Sequence, residues 1–202
     1  MRLPQDKNEV REKILDVSQE LMARYGYKRM TIEDIAEEAH IGKGSVYLHF
    51  RSKEEIAISS VDRVNERLRA SLTEIACSSV DPVEKLKRMT LERVLYRMDS
   101  LKDHYRCLDE NLAAMRPQLN ERKAAYYEAE AEIFATVIQE GQTSGEFAPG
   151  DPKKTAYSLI YATNGFMPFS LTSIEIGDPD QVSLRVLSVF ELILNGIAER
   201  KE

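Results

Sequence analysis

The sequence has few cysteines, no long apolar run and no excess of positive charge. Two cysteines in 202 residues are too few for a disulfide framework, which favours a reducing, cytoplasmic setting. No stretch of about 18 apolar residues is present, so we expect no transmembrane helix and no membrane partner. The charged N-terminal residues lack the apolar segment of a secretory signal. The composition, 43% hydrophobic and 31% charged, is that of an ordinary globular protein.

The charge balance permits a nucleic-acid partner without indicating one. The formal net charge is −6, yet residues 1–55 hold ten Lys and Arg against eleven Asp and Glu. Within this segment, residues 40–53 carry Lys43, Arg51 and Lys53 and no acidic residue. Phosphate contacts depend on the local electrostatic field rather than on the charge of the whole chain. The overall acidity therefore predicts weak non-specific DNA binding and excludes nothing.

Strand patterns, solenoid repeats and low-complexity segments are also missing, whereas helical signals run along the whole chain. Residues 10–25 place apolar side chains at helical spacing, and Gly26 supplies a stop. Thr31 and Ser52 each begin a capping box, which predicts a helix start at each. Further starts are expected at four pairs that end in proline: Asp81-Pro82, Arg116-Pro117, Asp151-Pro152 and Asp178-Pro179. The sequence thus predicts an all-α fold of about nine helices.

The last predicted helix is unusually apolar. Eleven of the seventeen residues from Val182 to Ala198 are hydrophobic, whereas one core-facing stripe needs about three or four per two turns. One explanation is a helix wrapped by its own domain. Pairing with a second copy of the chain is the better explanation, because exposed apolar surface of that size is rare on monomers. We therefore expect a homodimer.

The segment HIGKGSVYLHF, residues 40–50, admits two interpretations. A phosphate loop needs the pattern GxxxxGK followed by Ser or Thr, after a buried strand. Here Ser45 does not directly follow Lys43, and no glycine lies five residues before Gly42. The preceding segment, TIEDIAEEA, is acidic and helical rather than an apolar strand. The nucleotide-binding interpretation therefore fails on spacing, on context and on charge.

The same segment fits a helix-turn-helix, in which the second of two short helices enters the major groove of DNA. TIEDIAEEA supplies the first helix, residues 40–42 the turn and KGSVYLHF the second helix. Val46 and Phe50 are four residues apart and are expected to face the core. The outward positions are then Gly44, Ser45, Tyr47 and Leu48. A glycine inside a helix costs about 1 kcal/mol relative to alanine, and close approach to DNA is a reason to accept that cost.

Residues 26–56, GYKRMTIEDIAEEAHIGKGSVYLHFRSKEEI, resemble the DNA-binding segment of the TetR family of transcriptional regulators. The positions in register are Met30-Thr31-Ile32, Ile35-Ala36, Ala39, Lys43-Gly44-Ser45, Tyr47, Phe50 and Ser52-Lys53-Glu54. A looser resemblance in length, helical content and helix order extends over the rest of the chain. The resemblance implies an N-terminal three-helix helix-turn-helix DNA-binding domain, residues 1–55. It also implies a C-terminal helical effector-binding and dimerisation domain, residues 56–202.

The resemblance implies a dimer whose recognition helices enter successive major grooves of a pseudo-palindromic operator, about 34–36 Å apart. Lys43 would reach a base edge, with guanine as the favoured acceptor. Gly44 would allow close approach, and Ser45 would contact a base or a phosphate. Glu33 has two interpretations, because it can accept from cytosine or simply cap its helix.

Other expected DNA contacts fix the position of the protein on the phosphate backbone. Thr31 would bind a phosphate through its hydroxyl or its backbone N–H. Tyr47 and His49 would bind phosphates, and Lys53 would add a positive charge at the start of the fourth helix.

Two positions depart from the usual pattern of the family. His40 replaces a frequent glycine in the turn, where a positive φ is expected, and histidine tolerates this better than most residues. Gly42 replaces a frequent Ser, Thr or Ala, so the recognition helix lacks a capping hydroxyl at this position. We expect that helix to be less rigid in the absence of DNA.

The resemblance further implies a small-molecule effector whose binding favours a dimer that no longer fits the operator, as in a ligand-responsive repressor. The candidate ligand-binding residues are Met89, Arg93, Tyr96, Tyr127, Phe134 and Met167. The alternative is that these methionines and aromatics are ordinary core at helical spacing. Pro168 is expected to kink the helix that contains it or to free a carbonyl there.

No catalytic site, metal or cofactor is expected. The sequence contains no nucleophile elbow, HExxH or GxGxxG motif. His104 and Cys107 are three residues apart, but two ligands fall short of a closed set of four. A helical interaction module that has lost operator binding is the alternative function. The joint presence of Lys43, Ser45 and Tyr47 with Lys53 argues against it.

Overall fold

The computed structural model describes residues 7–104, 106–168 and 178–195, and within these ranges the chain is all-α, as predicted. It contains eight α-helices: α1 (Lys7–Tyr25), α2 (Ile32–Glu38), α3 (Lys43–His49), α4 (Lys53–Ala76), α5 (Pro82–Leu101), α6 (Leu108–Ser144), α7 (Pro152–Thr163) and α8 (Pro179–Asn195). Short 3-10 turns follow α5 and α7, at Lys102–His104 and Asn164–Phe166. The described part of α8 ends before Ile197 and Ala198, so these two residues of the predicted apolar helix lie outside the described residues.

The helices begin where side chains can bond to their first free N–H groups. The Asp151 carboxylate accepts from the N–H groups of Lys153 and Lys154, and Pro152 opens α7. The carboxylates of Asp81 and Asp178 bond in the same way at the starts of α5 and α8. The three Asp-Pro pairs therefore mark helix starts, as predicted.

One proline prediction is wrong, and one of the two alternatives for a second proline does not hold for α7. Pro117 does not begin a helix, because α6 continues through it from residue 108 to residue 144. An interior proline costs about 3 kcal/mol of helix stability, but neighbouring Met115 is buried and Leu119 is half-buried in the core, and this packing opposes the cost. Pro168 does not kink α7, because α7 ends at Thr163 and a 3-10 turn separates the two. The alternative, that Pro168 frees a carbonyl, stays a prediction.

The chain forms two compact units. The first comprises Met1–Asn65 and Leu101–Arg122, and the second comprises Glu66–Ser100 and Lys123–Glu202. The predicted boundary between domains at residue 55 stays a prediction.

The core of the first unit holds the helix-turn-helix in place. Ile35 of α2, Val46 of α3 and Ile56 of α4 are fully buried in one apolar cluster, and Phe50 is almost fully buried. A phenylalanine of this kind costs about 3–5 kcal/mol when truncated to alanine. The positions of α2 and α3 are therefore fixed by the core rather than by the helices themselves, which have seven residues each.

The first turn of α6 is bonded to the end of α1 within the first unit. The Asn111 side chain accepts from the Tyr27 N–H at 2.6 Å and donates to the Met22 carbonyl at 3.2 Å. Gly26, between them, has φ +82 and lies against the Glu110 carboxylate. Asn111 therefore satisfies backbone groups at the turn that leads to α2, a contact the sequence did not indicate.

The last turn of α6 contains a glycine that packs against an aromatic ring in the second unit. A Cβ added at Gly141 would overlap the ring of Phe147. Gly141 also accepts backbone bonds from Glu146 and Phe147. The end of α6 therefore leaves no room for a side chain at this position.

Candidate nucleic-acid interface

The turn between α2 and α3 uses an unusual residue at a strained position. His40 has φ +53, the left-handed conformation that glycine usually supplies, and no other described non-glycine residue has a positive φ. Its N–H donates to the Glu37 carbonyl, and the Ile41 N–H donates to the Ala36 carbonyl, both at 3.0 Å. These two bonds are a Schellman motif, which ends α2 and turns the chain into α3. The positive φ expected at His40 is therefore present.

Helix α3 starts without a side-chain cap. Gly42 is the N-cap residue, and no side chain bonds to the first N–H groups of the helix. As predicted from the sequence, the N-cap residue of α3 therefore supplies no hydroxyl to the first turn of the helix. Gly44 lies on the exposed side, with open space around the position of an added Cβ. Nothing within the described residues therefore requires glycine at position 44.

One face of α3 is buried and the other is exposed. Val46 and the following Phe50 are buried, whereas Tyr47 keeps 49% of its surface exposed and Leu48 keeps 84%. Ser45 and His49 are half-buried at the edges of the exposed face. Of the positions predicted to point outward, Gly44, Tyr47 and Leu48 are exposed, and Ser45 lies at the edge of the exposed face.

Leu48 is the exposed residue to which sequence analysis gave no role. Its outward register was visible in the sequence, but no polar atom marked it as a contact. An apolar side chain on a reading helix can contact the methyl group of thymine.

Lys43 is held by an acidic neighbour on α2. Its ammonium donates to the Glu33 carboxylate and lies 5.9 Å from the centre of the Tyr47 ring. The hydrogen bond to Glu33 raises the pKa of Lys43, and the same bond lowers the pKa of Glu33. Both side chains are well exposed, so the pair is accessible to solvent and weakened by salt. Glu33 therefore occupies the group that is expected to read a base.

Thr31 is engaged in its predicted capping box. Its hydroxyl donates to the Asp34 carboxylate at 2.7 Å and accepts from the Asp34 N–H at 3.1 Å. The Thr31 N–H also donates to that carboxylate, at 2.9 Å. A phosphate contact from either group, which stays a prediction, therefore requires that the group leave Asp34.

Lys53 bonds to the chain that precedes α2. Its ammonium donates to the carbonyls of Tyr27 and Lys28 at 3.1 and 3.3 Å and lies 4.6 Å from the centre of the Tyr27 ring. The Tyr27 hydroxyl donates to Glu54 at 3.0 Å. Lys53 thus fixes the start of α4 against the α1–α2 turn, a structural role beside the positive charge predicted for DNA.

The second unit contains the six candidate ligand-binding residues. Met89, Tyr127 and Phe134 are buried in one apolar cluster, and Tyr96 packs against it. Met167 is fully buried, and Arg93 is 1% exposed. Their burial suits both an internal ligand site and an ordinary core, so the assignment stays a prediction.

Arg93 belongs to a buried charge network that sequence analysis found only in part. The guanidiniums of Arg93 and Arg97 both donate to the Glu130 carboxylate. Arg93 also donates to the hydroxyl of Thr163 at 3.0 Å and to the side-chain oxygen of Asn164 at 2.8 Å. The sequence does contain a signal for this network. Glu130 is a charged residue that interrupts the apolar face of α6, three positions after Tyr127.

Burial and charge act in opposite directions on this network. Burial lowers the pKa of Arg93, and the Glu130 charge opposes that shift. Burial by itself would raise the pKa of Glu130, but the charges of Arg97 and Arg93 outweigh it and lower that pKa. The carboxylate is therefore ionised, and the network is an ion cluster rather than a neutral hydrogen-bonded one.

The described ranges contain neither a metal cluster nor a membrane-crossing helix. No group of three or more His, Cys, Asp and Glu side chains there is arranged to hold a metal ion. His104 is buried, and burial lowers its pKa. None of the described helices combines the length and the apolar character needed to cross a bilayer.

Comparison with known proteins supports both halves of this description. Residues 14–59 match the family described as bacterial regulatory proteins, tetR family. Residues 79–167 match the family described as tetracyclin repressor-like, C-terminal domain. The chain is 27% identical to a fatty acid metabolism regulator protein of Bacillus subtilis (strain 168) over 194 residues, which cover 91% of this chain and 93% of that protein.

Solved structures share the fold. A transcriptional regulator of the TetR/AcrR family from Thermobifida fusca has a TM-score of 0.67 at 23% identity, covering 95% of this chain and 100% of that one. The SmeT–triclosan complex has a TM-score of 0.69 at 21% identity, covering 95% of this chain and 93% of that one. The same all-α architecture is therefore built from widely different sequences.

Proposed function

We propose that this chain, which belongs to the TetR family and is a DNA-binding transcriptional regulator, is a repressor. In this proposal a homodimer binds a pseudo-palindromic operator and leaves it when a small-molecule effector binds. The following observations support the proposal.

The exposed face of α3 carries the proposal. It presents Tyr47 and Leu48 to solvent, with Lys43 at its N-terminal end, while Val46 fixes the helix to the core. A lysine at this end of a recognition helix suits the acceptor edge of guanine, and tyrosine suits a phosphate. The residues proposed to contact DNA remain Thr31, Lys43, Gly44, Ser45, Tyr47, His49 and Lys53.

The second face of α8 supports the homodimer. Val182, Val186 and Phe190 form a buried stripe, whereas Leu184 and Leu192 keep 62% and 48% of their surface exposed. A helix that buries one stripe within its own unit and leaves leucines outside it suits pairing with another surface. The matching surface we propose is α8 of a second copy, because two recognition helices are needed to read a pseudo-palindrome.

The effector is supported by family membership and by the relatives. The SmeT protein was solved as a complex with triclosan, a small molecule. The proposed effector site lies among Met89, Arg93, Tyr96, Tyr127, Phe134 and Met167. An effector releases the operator only if it binds the DNA-free state more tightly, and such coupling is typically about 1–3 kcal/mol. The relatives are regulators by name, and we assign this chain no enzymatic activity and a place in the cytoplasm with the DNA.

Fluorescence anisotropy on duplex fragments from upstream of the gene tests the proposal. We expect saturable binding to one fragment, with two chains per site. The logarithm of the binding constant should fall linearly with the logarithm of the salt concentration, because Lys and Arg displace counterions from phosphates.

Lys43→Ala separates base reading from phosphate binding. This variant should lose about 1–3 kcal/mol of preference for the operator over random duplex, whereas Lys87→Ala, an exchange of an exposed lysine on α5, should lose none. Unchanged preference in Lys43→Ala would remove that residue from base reading. Absence of any preferred site across the whole genome would favour the interaction-module alternative.

A further inference from the structure

Arg93 is a buried cation without a carboxylate of its own. Among the described residues its only acidic partner is Glu130, which Arg97 also holds. Its other two bonds go to neutral acceptors, the hydroxyl of Thr163 and the side-chain oxygen of Asn164. A guanidinium has five N–H donors, and a buried one is stabilised most by charged acceptors. Arg93 therefore has the capacity for a further anion.

Tyr127 supplies a second donor in the same part of the second unit. Its side chain is 6% exposed, and its hydroxyl is buried without a hydrogen-bond partner among the described residues. The Arg93 guanidinium lies 5.5 Å from the centre of the Tyr127 ring. A buried hydroxyl without a partner is unfavourable and is rarely retained without a reason. The Arg93 guanidinium therefore lies against the ring that carries this unpartnered hydroxyl.

The surroundings of the two donors are apolar. Tyr127 packs in the cluster that contains Met89 and Phe134, and methionine adapts to irregular ligand shapes. A ligand that satisfies both parts of this environment has an acidic head and an apolar body. A ligand cation would face the guanidinium, and a purely apolar ligand would leave the Tyr127 hydroxyl unsatisfied.

We propose that the effector is an apolar carboxylate, whose head group accepts hydrogen bonds from Arg93 and the Tyr127 hydroxyl. The carboxylate takes the place of the Asn164 oxygen on Arg93, because a charged acceptor binds a guanidinium more strongly than an amide does. Its apolar body packs against Met89 and Phe134. This assignment rests on the proposed function, since it names the chemical class of the effector.

Calorimetric titration of the full chain without DNA tests the assignment. The probes are octanoate, decanoate, palmitate and cinnamate, each paired with the alcohol that has the same carbon skeleton, and with decylammonium as the cation. We expect at least one acid to bind with a dissociation constant about tenfold or more below that of its alcohol. Equal binding of acid and alcohol, tighter binding of decylammonium, or no binding of any acid would overturn the proposal.

Tyr127→Phe isolates the hydroxyl without disturbing the packing. The variant keeps the ring and removes a group that has no partner, so we expect it to fold normally. Its affinity for the acid should fall about tenfold, while its affinity for the alcohol changes little. Tyr25→Phe is the matched control, because this tyrosine of α1 is 49% exposed and belongs to the first unit. Undiminished acid binding in Tyr127→Phe would contradict the assignment.

Operator release separates this inference from the proposed function. Anisotropy of the protein–operator complex is followed while the same acids and alcohols are added. Acids that bind the free protein but do not release DNA would leave the binding site intact and refute effector-controlled repression. Release by alcohols or decylammonium but not by acids would support effector control and overturn the carboxylate assignment.

Discussion

At the scale of single residues, the ion pair between Lys43 and Glu33 occupies the ammonium that we propose reads a base. In the proposed complex, the Lys43 ammonium has to leave the Glu33 carboxylate before it reaches a base. Glu33→Gln should therefore tighten binding to every duplex, make the salt dependence steeper and reduce the preference for the operator. Anisotropy titrations on operator and random duplex at several salt concentrations measure all three.

Glu37→Gln is the control for this prediction, since it makes the same charge change on the exposed side of α2. It should change the three quantities much less than Glu33→Gln does. Weaker operator binding in Glu33→Gln would contradict the prediction and would instead favour a direct contact of Glu33 with cytosine.

Because of Tyr27, the stability of the first unit should vary with pH in the alkaline range. Burial and the hydrogen bond to Glu54 raise the pKa of Tyr27 from 10.0 to about 12. Below pH 10 the tyrosine is protonated in both states, and its stabilising contribution is fully present. Between pH 10 and pH 12 the unfolded chain loses the proton first, so the free energy of unfolding falls as pH rises.

Urea denaturation of the native protein and of Tyr27→Phe at pH 8, 10, 11 and 12 checks this direction. The difference in unfolding free energy between the two proteins should be greatest at pH 8 and should shrink above pH 10. A difference that is constant from pH 8 to pH 12 would show that Tyr27 does not have a raised pKa.

The exposed residues of α3 could be placed from the sequence because register alone determines which of them point outward. Val46 and Phe50 define the buried side of α3, and the exposed side follows from helical spacing. The partners of those residues could not be placed in this way. The contact between Lys43 and Glu33 joins two helices, and the bonds from Lys53 reach back to the chain before α2. Such contacts depend on tertiary geometry, which no local pattern records.

At the scale of elements, the turn between α2 and α3 contains a strained residue, because the backbone of His40 adopts the left-handed conformation. A left-handed conformation is unfavourable for residues with a Cβ and most unfavourable for β-branched ones. His40→Gly should therefore raise the free energy of unfolding by up to about 1 kcal/mol, whereas His40→Val should lower it by about 1–2 kcal/mol. Urea denaturation measures both effects.

The free energy of unfolding should be higher than that of the native protein in His40→Gly and lower in His40→Val. His40→Asn is the control, because asparagine also tolerates positive φ, and its stability should lie close to that of the native protein. Equal loss of stability in His40→Gly and His40→Val would point to a contact of the histidine ring rather than to backbone strain.

Helix boundaries were predictable where a side chain caps the helix and unpredictable where packing determines continuity. The capping box of Thr31 and the Asp-Pro pairs act locally, so the sequence contains all the information needed. The Arg116-Pro117 pair resembles a helix start by the same local rule, but Pro117 lies inside α6. There the burial of its neighbours outweighs the lost hydrogen bond. The buried ion cluster around Glu130 was found only in part for a related reason, because its cations lie on α5 and its carboxylate on α6.

At the scale of the whole molecule, the exposed leucines of α8 form the surface through which we propose that two copies associate. Leu184→Glu places a charge within the exposed apolar face, and burying that charge against a partner without compensation is costly. We expect the dimer dissociation constant to rise by at least about tenfold and operator binding to require correspondingly more protein. Sedimentation velocity over a concentration series measures the association.

Tyr25→Glu provides the comparison, since it places the same charge on α1 at a side chain that is 49% exposed, against 62% for Leu184. This variant should associate as the native protein does. A dimer that is unchanged in Leu184→Glu but weakened in Tyr25→Glu would place the interface elsewhere.

Gly44 of α3 and Gly141 of α6 differ in what would limit a side chain at each position. Gly141 is surrounded by Phe147, so any side chain there damages the folded state itself. Gly44 has open space around it, and only an approaching duplex would limit what that space can hold. In a library of all single substitutions, selection for folded protein alone should deplete variants at position 141 and retain those at position 44. Adding selection for gene silencing should deplete both, so the comparison of the two selections identifies positions that evolution preserves for DNA.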